Sequence, residues 1–281
     1  YLSPWDRHQA NYGTPEYLPY FYAQLHDLLT NYGPVFEVWF DGANGGDGWY
    51  GGAKDIRTID RKNYYNYPRI YEMLDSIQPQ AIIFSDGGPG CRWVGNEKGF
   101  AGATNWSFLR EGEVHPGYEK SYELQYGHAD GNQWVPAECD VSIRPGWFYH
   151  PEEDDRVKSP DQLVDLYYRS VGHNATLLLN FPVDRRGLIH PVDSANAVRF
   201  HEMIQQQLKT NLVAGMTPKV SNERGGDFVA SALTDDNFDT YWATEDGVTT
   251  ADIEFSFDTP TRMNRMMLQE YIPLGQRVKA F

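Results

Sequence analysis

Residues 35–46 constrain the fold more than any other stretch of this chain. They run from an apolar and aromatic segment, Val-Phe-Glu-Val-Trp-Phe, through Asp41 into a glycine-rich segment. A short bulky run bounded by Gly and Pro favours a buried β-strand over a helix. Side chains alternate along a strand, so Trp39 and Asp41 share one face. An aspartate in this place either caps the following turn or lies at the strand end where barrel folds carry catalytic groups.

The order strand, polar tip, helix recurs through the first 212 residues. Predicted strands cover residues 1–5, 35–40, 81–84, 134–143 and 175–179, and predicted helices cover about 15–32, 64–77, 159–171 and 194–212. Parallel strands need long crossovers, which are usually helical, and this spacing supplies them. We therefore expect an α/β fold of the (β/α)8-like (TIM-type) barrel kind. The predicted strands are two or three fewer than a complete barrel needs, so the barrel is N-terminally incomplete or the sheet is open.

The pattern changes after residue 212. Residues 240–244 and 251–255 alternate polar and apolar side chains, as half-buried antiparallel strands do. The predicted domains are a catalytic barrel over residues 1–212 and the truncated start of a β-sandwich over residues 213–281.

Composition and charge exclude several classes of function. The net charge is −15 and no basic run occurs, which argues against a nucleic-acid partner. The sequence has no apolar run long enough for a membrane span. Its two cysteines, Cys91 and Cys139, are too few for a disulfide-stapled scaffold. Aromatic residues make up 15% of the chain, and an aromatic-rich acidic chain is typical of proteins that handle sugars.

The motif search predicts neither a metal site nor a cofactor. The sequence contains no HxxxH or CxxC pair with the spacing of transition-metal ligands. It also lacks the GxGxxG and GxxxxGK phosphate loops, and it lacks the GxSxG elbow of serine hydrolases.

Carboxylates near the predicted strand ends are the main candidates for chemistry. They are Asp6, Asp41, Asp86, Glu97, Glu138 and Asp140. Glycoside cleavage needs one carboxylate to attack or stabilise the sugar cation and another to protonate the leaving oxygen. Asp41 suits the first role because it ends a rigid strand. Glu97 suits the second because apolar neighbours disfavour a charged carboxyl group, although a solvated loop position is its alternative. Glu138 is the rival acid/base, or a structural partner of Arg144 or Arg92.

Four segments together resemble glycoside hydrolase family 29, the retaining exo-α-L-fucosidases. They are residues 3–8 (Ser-Pro-Trp-Asp-Arg-His), 37–44 (Glu-Val-Trp-Phe-Asp-Gly-Ala-Asn), 92–97 (Arg-Trp-Val-Gly-Asn-Glu) and 138–147 (Glu-Cys-Asp-Val-Ser-Ile-Arg-Pro-Gly-Trp). The third segment resembles the subfamily that prefers α-1,3/1,4-linked fucose on branched, Lewis-type glycans. The C-terminal tail resembles the start of a discoidin-like sandwich.

The resemblance implies roles for five residues. Asp41 matches the family nucleophile, Trp39 an aromatic that packs on fucose, and Glu97 the acid/base. Arg92 matches an arginine that hydrogen-bonds the sugar, and Trp106 is expected at the substrate rim. The family's His-His-Asp-Gly motif, carried by its first barrel strands, is absent, so we expect this segment to form only part of the fucose pocket.

These observations predict a retaining exo-α-L-fucosidase that acts by double displacement on a fucosylated oligosaccharide or glycoconjugate, without a cofactor. That substrate implies an extracellular or periplasmic location. The alternative is a glycan-binding protein that uses the same scaffold without catalysis, against which the intact pair Asp41 and Glu97 argues.

Overall fold

A computed structural model describes residues 1–41 and 47–281, and a five-stranded parallel sheet dominates it. The strands are β1 (Glu37–Trp39), β2 (Gly48–Tyr50), β3 (Asp55–Arg57), β4 (Ile82–Ser85), β5 (Cys91–Trp93), β6 (Phe108–Leu109), β7 (Gln133–Trp134), β8 (Ala137–Ser142), β9 (Ala175–Asn180), β10 (Lys219–Val220) and β11 (Ile253–Glu254). The helices are α1 (Tyr17–Thr30), α2 (Tyr67–Ile77), α3 (Pro160–Ser170) and α4 (Pro191–Gln207). The main sheet has the order β1-β4-β5-β8-β9, and every pairing in it is parallel.

Helices cover one face of this sheet. Val38 and Ile83 lie in one apolar cluster with Phe21 and Leu25 of α1 and Leu74 of α2. A second cluster joins β8 to α3, which begins at a capping box formed by Ser159 and Gln162. The opposite face carries the alternate residues of each strand, and it is there that the polar side chains meet. The predicted helices and the α/β class are therefore confirmed, and the parallel sheet fits an incomplete TIM-like barrel.

Strand β5 was missed, because no strand was predicted between residues 84 and 134. It lies at the centre of the sheet, between β4 and β8. Only five residues, 86–90, join β4 to its parallel neighbour β5. At Gly90 an added Cβ would lie 2.6 Å from the backbone nitrogen of Ile83, so the two strands come together only with glycine at this position. Conversely, the strand predicted for residues 1–5 is absent from the described chain, although Leu2 N–H donates to the Trp39 carbonyl at 3.1 Å.

The chain divides into two units, Tyr1–His201 and Glu202–Phe281. In the second unit, β10 and β11 pair antiparallel, with Val220 opposite Ile253. The predicted strand at residues 251–255 is present as β11, whereas residues 240–244 form no strand. The domain boundary after residue 212 and the discoidin-like character of the tail stay predictions. None of the helices in the described ranges combines the length and the apolar character needed to cross a bilayer.

Candidate active site

The two predicted catalytic carboxylates lie at the same edge of the main sheet. Asp41 comes two residues after β1 and Glu97 four residues after β5. Because β1 and β5 are parallel members of one sheet, their carboxyl ends point the same way. This is the edge at which barrel folds assemble their chemistry.

Asp41 is half-buried, and the hydroxyl of Tyr1 donates a hydrogen bond to its Oδ2. Burial, together with the hydrogen bond and charge of Asp41, raises the pKa of Tyr1, so this phenol stays a donor. The glycine-rich segment predicted to follow Asp41 begins at residues 42–46, which lie outside the described residues.

Trp39 is held on three sides. Its ring stacks on Phe84 with the centroids 4.2 Å apart, and Tyr1 stacks beside it at 5.7 Å. Its Nε1 donates to Glu138 Oε1 at 3.1 Å. Its predicted role of packing against fucose stays a prediction, and it requires a part of the indole that Tyr1 and Phe84 leave uncovered.

Below Trp39 lie half-buried Glu37 and buried Cys91 and Glu138, whose polar atoms are all within 4.8 Å of one another. The Cys91 thiol donates to Glu37 Oε1 at 3.7 Å. Burial, and then the neighbouring charge of Glu37, raise the pKa of Glu138 to about 7. Burial also raises the pKa of Glu37, which shares a hydrogen bond with Glu138. The two carboxyl groups therefore favour a shared proton.

Asp140 occupies the same face of β8 as Glu138 and accepts a hydrogen bond from Trp93 Nε1 at 2.9 Å. Burial raises the pKa of Asp140 to about 7, and the charges of Glu97 and Asp41 add to this effect. Both proposed catalytic groups are therefore near enough to Asp140 to influence its charge. The sequence analysis included Asp140 among the strand-end carboxylates but predicted no role for it. Its spacing of two residues from Glu138 could have predicted that both carboxylates lie on the same face of the strand.

Glu97 is exposed, which corrects the expectation that apolar neighbours surround it. Val94 packs into the core beside β8, and the ring of Phe100 lies under the guanidinium of Arg169 at 4.3 Å. The contact that Glu97 does make is with Trp147, whose Nε1 donates to its Oε2 at 3.3 Å.

Arg92 is completely buried, and its guanidinium joins separate loops to the sheet. It donates to the Leu124 carbonyl at 3.0 Å, to the Val135 carbonyl, to Asn105 Oδ1 at 2.7 Å and to the Trp106 carbonyl at 3.0 Å. Four of the five guanidinium N–H groups are thus engaged by these acceptors. A sugar-binding role for Arg92 stays a prediction. Trp106 is itself buried, so its rim role also stays a prediction.

Arg144 is the second fully buried cation, and it pairs with Asp193 through two bonds of 2.8 Å. Asp154 lies 2.9 Å from the same guanidinium. Glu138 is therefore a partner of neither Arg144 nor Arg92, and that expectation was wrong.

Among the residues that the structure describes, two groups of side chains could hold a metal ion. In both groups the local chemistry favours bound protons over a bound metal. In the first, burial and the nearby glutamates raise the pKa of the Cys91 thiol, which disfavours the thiolate that metals bind. In the second, made of Glu113, Glu123 and His128, the histidine Nδ1 accepts the backbone N–H of Arg110 at 3.0 Å. The neutral ring therefore carries its proton on Nε2, which faces Glu123 at 3.6 Å. The absence of a metal stays a prediction.

Comparison with known proteins gives a consistent result. The sequence profile of the α-L-fucosidase family matches residues 1–205. α-L-Fucosidase 1 of Arabidopsis thaliana is 39% identical over 285 residues, which cover 100% of this chain and 54% of that protein. The chain spans about half the length of the curated relatives it matches.

Solved structures agree. A glycoside hydrolase 29 family member from an unknown rumen bacterium is 51% identical, with a TM-score of 0.70 over 81% of this chain and 40% of that one. A Ruminococcus gnavus glycoside hydrolase 29 fucosidase in complex with fucose is 30% identical, with a TM-score of 0.72 over 90% of this chain and 54% of that one. The chain therefore belongs to the α-L-fucosidases of glycoside hydrolase family 29.

Proposed function

We propose that the protein containing this chain is a retaining exo-α-L-fucosidase that removes terminal α-1,3/1,4-linked fucose from branched, Lewis-type glycans. The observation that carries the proposal is the pair of carboxylates, Asp41 and Glu97, at the carboxyl edge of one parallel sheet. Family membership and a fucose-bound relative support the substrate class. The α-1,3/1,4 preference follows from the resemblance of residues 92–97.

The mechanism is a double displacement. Asp41 Oδ attacks the anomeric carbon while Glu97 transfers its proton to the leaving oxygen, so the glycosidic bond breaks as an ester to Asp41 forms. Glu97, now a carboxylate, takes a proton from water, and the resulting attack at the same carbon releases fucose and frees Asp41. Two inversions give overall retention of configuration.

Tyr1 suits this scheme, because its hydroxyl donates to one oxygen of Asp41 and so orients the other for attack. Asp140 is buried nearby, and burial together with the charges of Glu97 and Asp41 raises the pKa of Asp140 to about 7. The rest of the fucose pocket is proposed to come from the remainder of a protein about twice as long as this chain.

The remaining parts of the proposal concern the surroundings of the site. We propose that the second unit is the start of a discoidin-like sandwich and that the enzyme works on glycans outside the cytoplasm. The substrate is a fucosylated oligosaccharide or glycoconjugate, and no cofactor enters the mechanism.

Chemical rescue in the intact protein tests the proposal. Asp41→Gly removes the nucleophile, and azide added to that variant should attack the opposite face and give β-fucosyl azide from an α-fucoside. Glu97→Ala with azide should give the α-azide, because the covalent intermediate still forms. A protein that binds fucosylated glycans without releasing fucose would instead be the catalytically inactive alternative. Product release from α-1,2-, α-1,3- and α-1,4-fucosylated oligosaccharides tests the linkage, and preferential cleavage of the α-1,2 substrate would overturn that part.

A further inference from the structure

We propose that Trp147 is the positioning residue of the acid/base, holding the Glu97 carboxyl group through its indole N–H. This inference rests on the proposed function, because it gives Trp147 a role only if Glu97 transfers the proton.

The contact itself engages one oxygen of Glu97. Trp147 Nε1 donates to Oε2 at 3.3 Å, and an indole offers a donor only. A donor of this kind restricts the rotation of the carboxyl group. The other oxygen of the carboxyl group is then directed for proton transfer to the leaving oxygen.

Glu97 needs such a partner because its backbone alone does not orient it. Asn96 shapes the turn around it: its Nδ2 donates to the Phe100 carbonyl at 3.0 Å, and its Oδ1 accepts the Lys98 N–H at 2.9 Å. These bonds fix the main chain, whereas the Glu97 side chain is exposed. An acid catalyst that is free to rotate loses the benefit of proximity, which a single hydrogen bond restores in part.

The main chain of Trp147 is held firmly. Its carbonyl accepts Asn180 Nδ2 at 3.1 Å, and the same amide donates to Ser142 Oγ at 3.1 Å. These bonds tie Trp147 to the ends of β8 and β9. Three residues earlier, Arg144 is anchored by two hydrogen bonds to the Asp193 carboxylate, and its guanidinium lies over the ring of Tyr149 at 4.7 Å. The indole thus reaches Glu97 from a segment fixed on both sides.

The same pattern occurs twice more in the site. Trp39 donates to Glu138 and Trp93 donates to Asp140, at 3.1 and 2.9 Å. Those two carboxyl groups are buried, whereas Glu97 is exposed, so the Trp147 contact is the one of the three that involves a solvent-accessible acid.

The test compares substrates that differ in their need for acid catalysis, using Trp147→Phe in the intact enzyme. With a fucosylated disaccharide, whose leaving oxygen must be protonated, we expect kcat/KM to fall about 10- to 100-fold. With an aryl fucoside that carries a very good leaving group, we expect a change of less than about threefold. Equal losses on both substrates would overturn the proposal.

Two controls separate this inference from the proposed function. Glu97→Gln should show the same substrate selectivity; if it does not, the acid/base assignment fails, whereas a failure of Trp147→Phe alone overturns only the role of Trp147. Trp134, with 38% of its surface exposed against 37% for Trp147, is a matched tryptophan on β7, and Trp134→Phe should leave both rates unchanged. Trp147→Leu also lacks the N–H and should repeat the selectivity, and thermal midpoints confirm that the variants fold.

Discussion

Trp39 on β1 donates to Glu138 on β8 at 3.1 Å, although β4 and β5 lie between these two strands. Neighbouring strands are about 4.8 Å apart, so three spacings in a flat sheet would separate β1 and β8 by about 14 Å. The two side chains meet because the sheet curls towards the face they share. The hydrogen bond from Trp39 to Glu138 is thus a direct sign of barrel-like curvature, and it joins the proposed sugar platform to the buried acids beneath it.

The buried acids make a prediction about pH. Glu138 and Asp140 have ordinary pKa values of 4.5 and 3.8, and both rise to about 7 in the folded protein. Between these limits the folded state binds protons that the unfolded state has released, so the free energy of unfolding falls as pH rises towards about 7. Each pKa unit corresponds to about 1.4 kcal/mol, so we expect a loss of several kcal/mol, at most about 8 kcal/mol for the two groups together. Urea unfolding at a series of pH values measures it.

Substitutions identify the source of that slope. Glu138→Gln with Asp140→Asn keeps an acceptor for each indole and removes both titrations, so the slope between about pH 4.5 and 7 should flatten. Asp184→Asn is the control. Arg186 lowers the pKa of Asp184 to about 2, so this group changes the slope only at pH values below about 3.8. A slope that persists unchanged in the double variant would contradict the account.

We expect the substitution of Arg92 to lower the stability of the fold more than it weakens sugar binding. Arg92→Met leaves the carbonyls of Leu124, Val135 and Trp106 and the side chain of Asn105 without their donor, so we expect a loss of about 3 kcal/mol or more in the free energy of unfolding. Arg169→Met, which removes an exposed guanidinium paired with Asp165, should cost less than about 1 kcal/mol. A stable Arg92→Met protein with a weakened affinity for fucose would support the sugar-binding role instead.

The pair of Arg144 and Asp193 should also be strongly stabilising, since both side chains are fully buried. Asp193→Asn leaves a buried cation without its main partner and should cost about 3–5 kcal/mol. Asp154 contacts the same guanidinium from a position that is 36% exposed, so Asp154→Asn should cost less than about 1 kcal/mol. Equal shifts in the thermal midpoints of the two variants would show that burial does not set the strength of these contacts.

The close approach of β4 and β5 predicts an intolerant glycine. Gly90→Ala would force its new Cβ to within 2.6 Å of the Ile83 nitrogen, and the strands would have to separate. Gly51→Ala is the matched control, because nothing lies within 4 Å of its added Cβ and its backbone is not left-handed. The first variant should be poorly soluble or unfold at a clearly lower temperature, and the second should behave as wild type. A Gly90→Ala protein with an unchanged thermal midpoint would be inconsistent with this packing.

Local pattern was enough for part of the fold. Helix α3 carries its own start signal at Ser159 and Gln162, and β1 and β9 are bulky runs bounded by turn residues. Strand β5 gives no such signal, because it is three residues long and its middle residue is Arg92. Its connection to β4 also breaks the expectation that parallel strands need long crossovers.

The candidate site likewise has one part that the sequence could predict and one part that it could not. Asp41 could be found because a strand pattern ends beside it. The partners that hold the site could not, because the contacts of Asp41 with Tyr1, of Trp39 with Glu138 and of Glu97 with Trp147 join residues 40, 99 and 50 positions apart. These pairs depend on the tertiary fold: Leu2 runs beside β1, β5 and β8 are neighbouring strands, and the curl of the sheet brings Trp39 to Glu138.

The most direct test of the central claim is to trap the covalent intermediate on Asp41. A 2-deoxy-2-fluoro-α-L-fucosyl fluoride slows release of the sugar, so a retaining enzyme accumulates the ester formed with its nucleophile. Mass spectrometry of the intact protein should show one added fluorofucosyl group per chain, digestion should locate it on the peptide that contains Asp41, and Asp41→Asn should not be labelled. A label on another carboxylate such as Asp140, or turnover with inverted configuration and no label, would contradict the account.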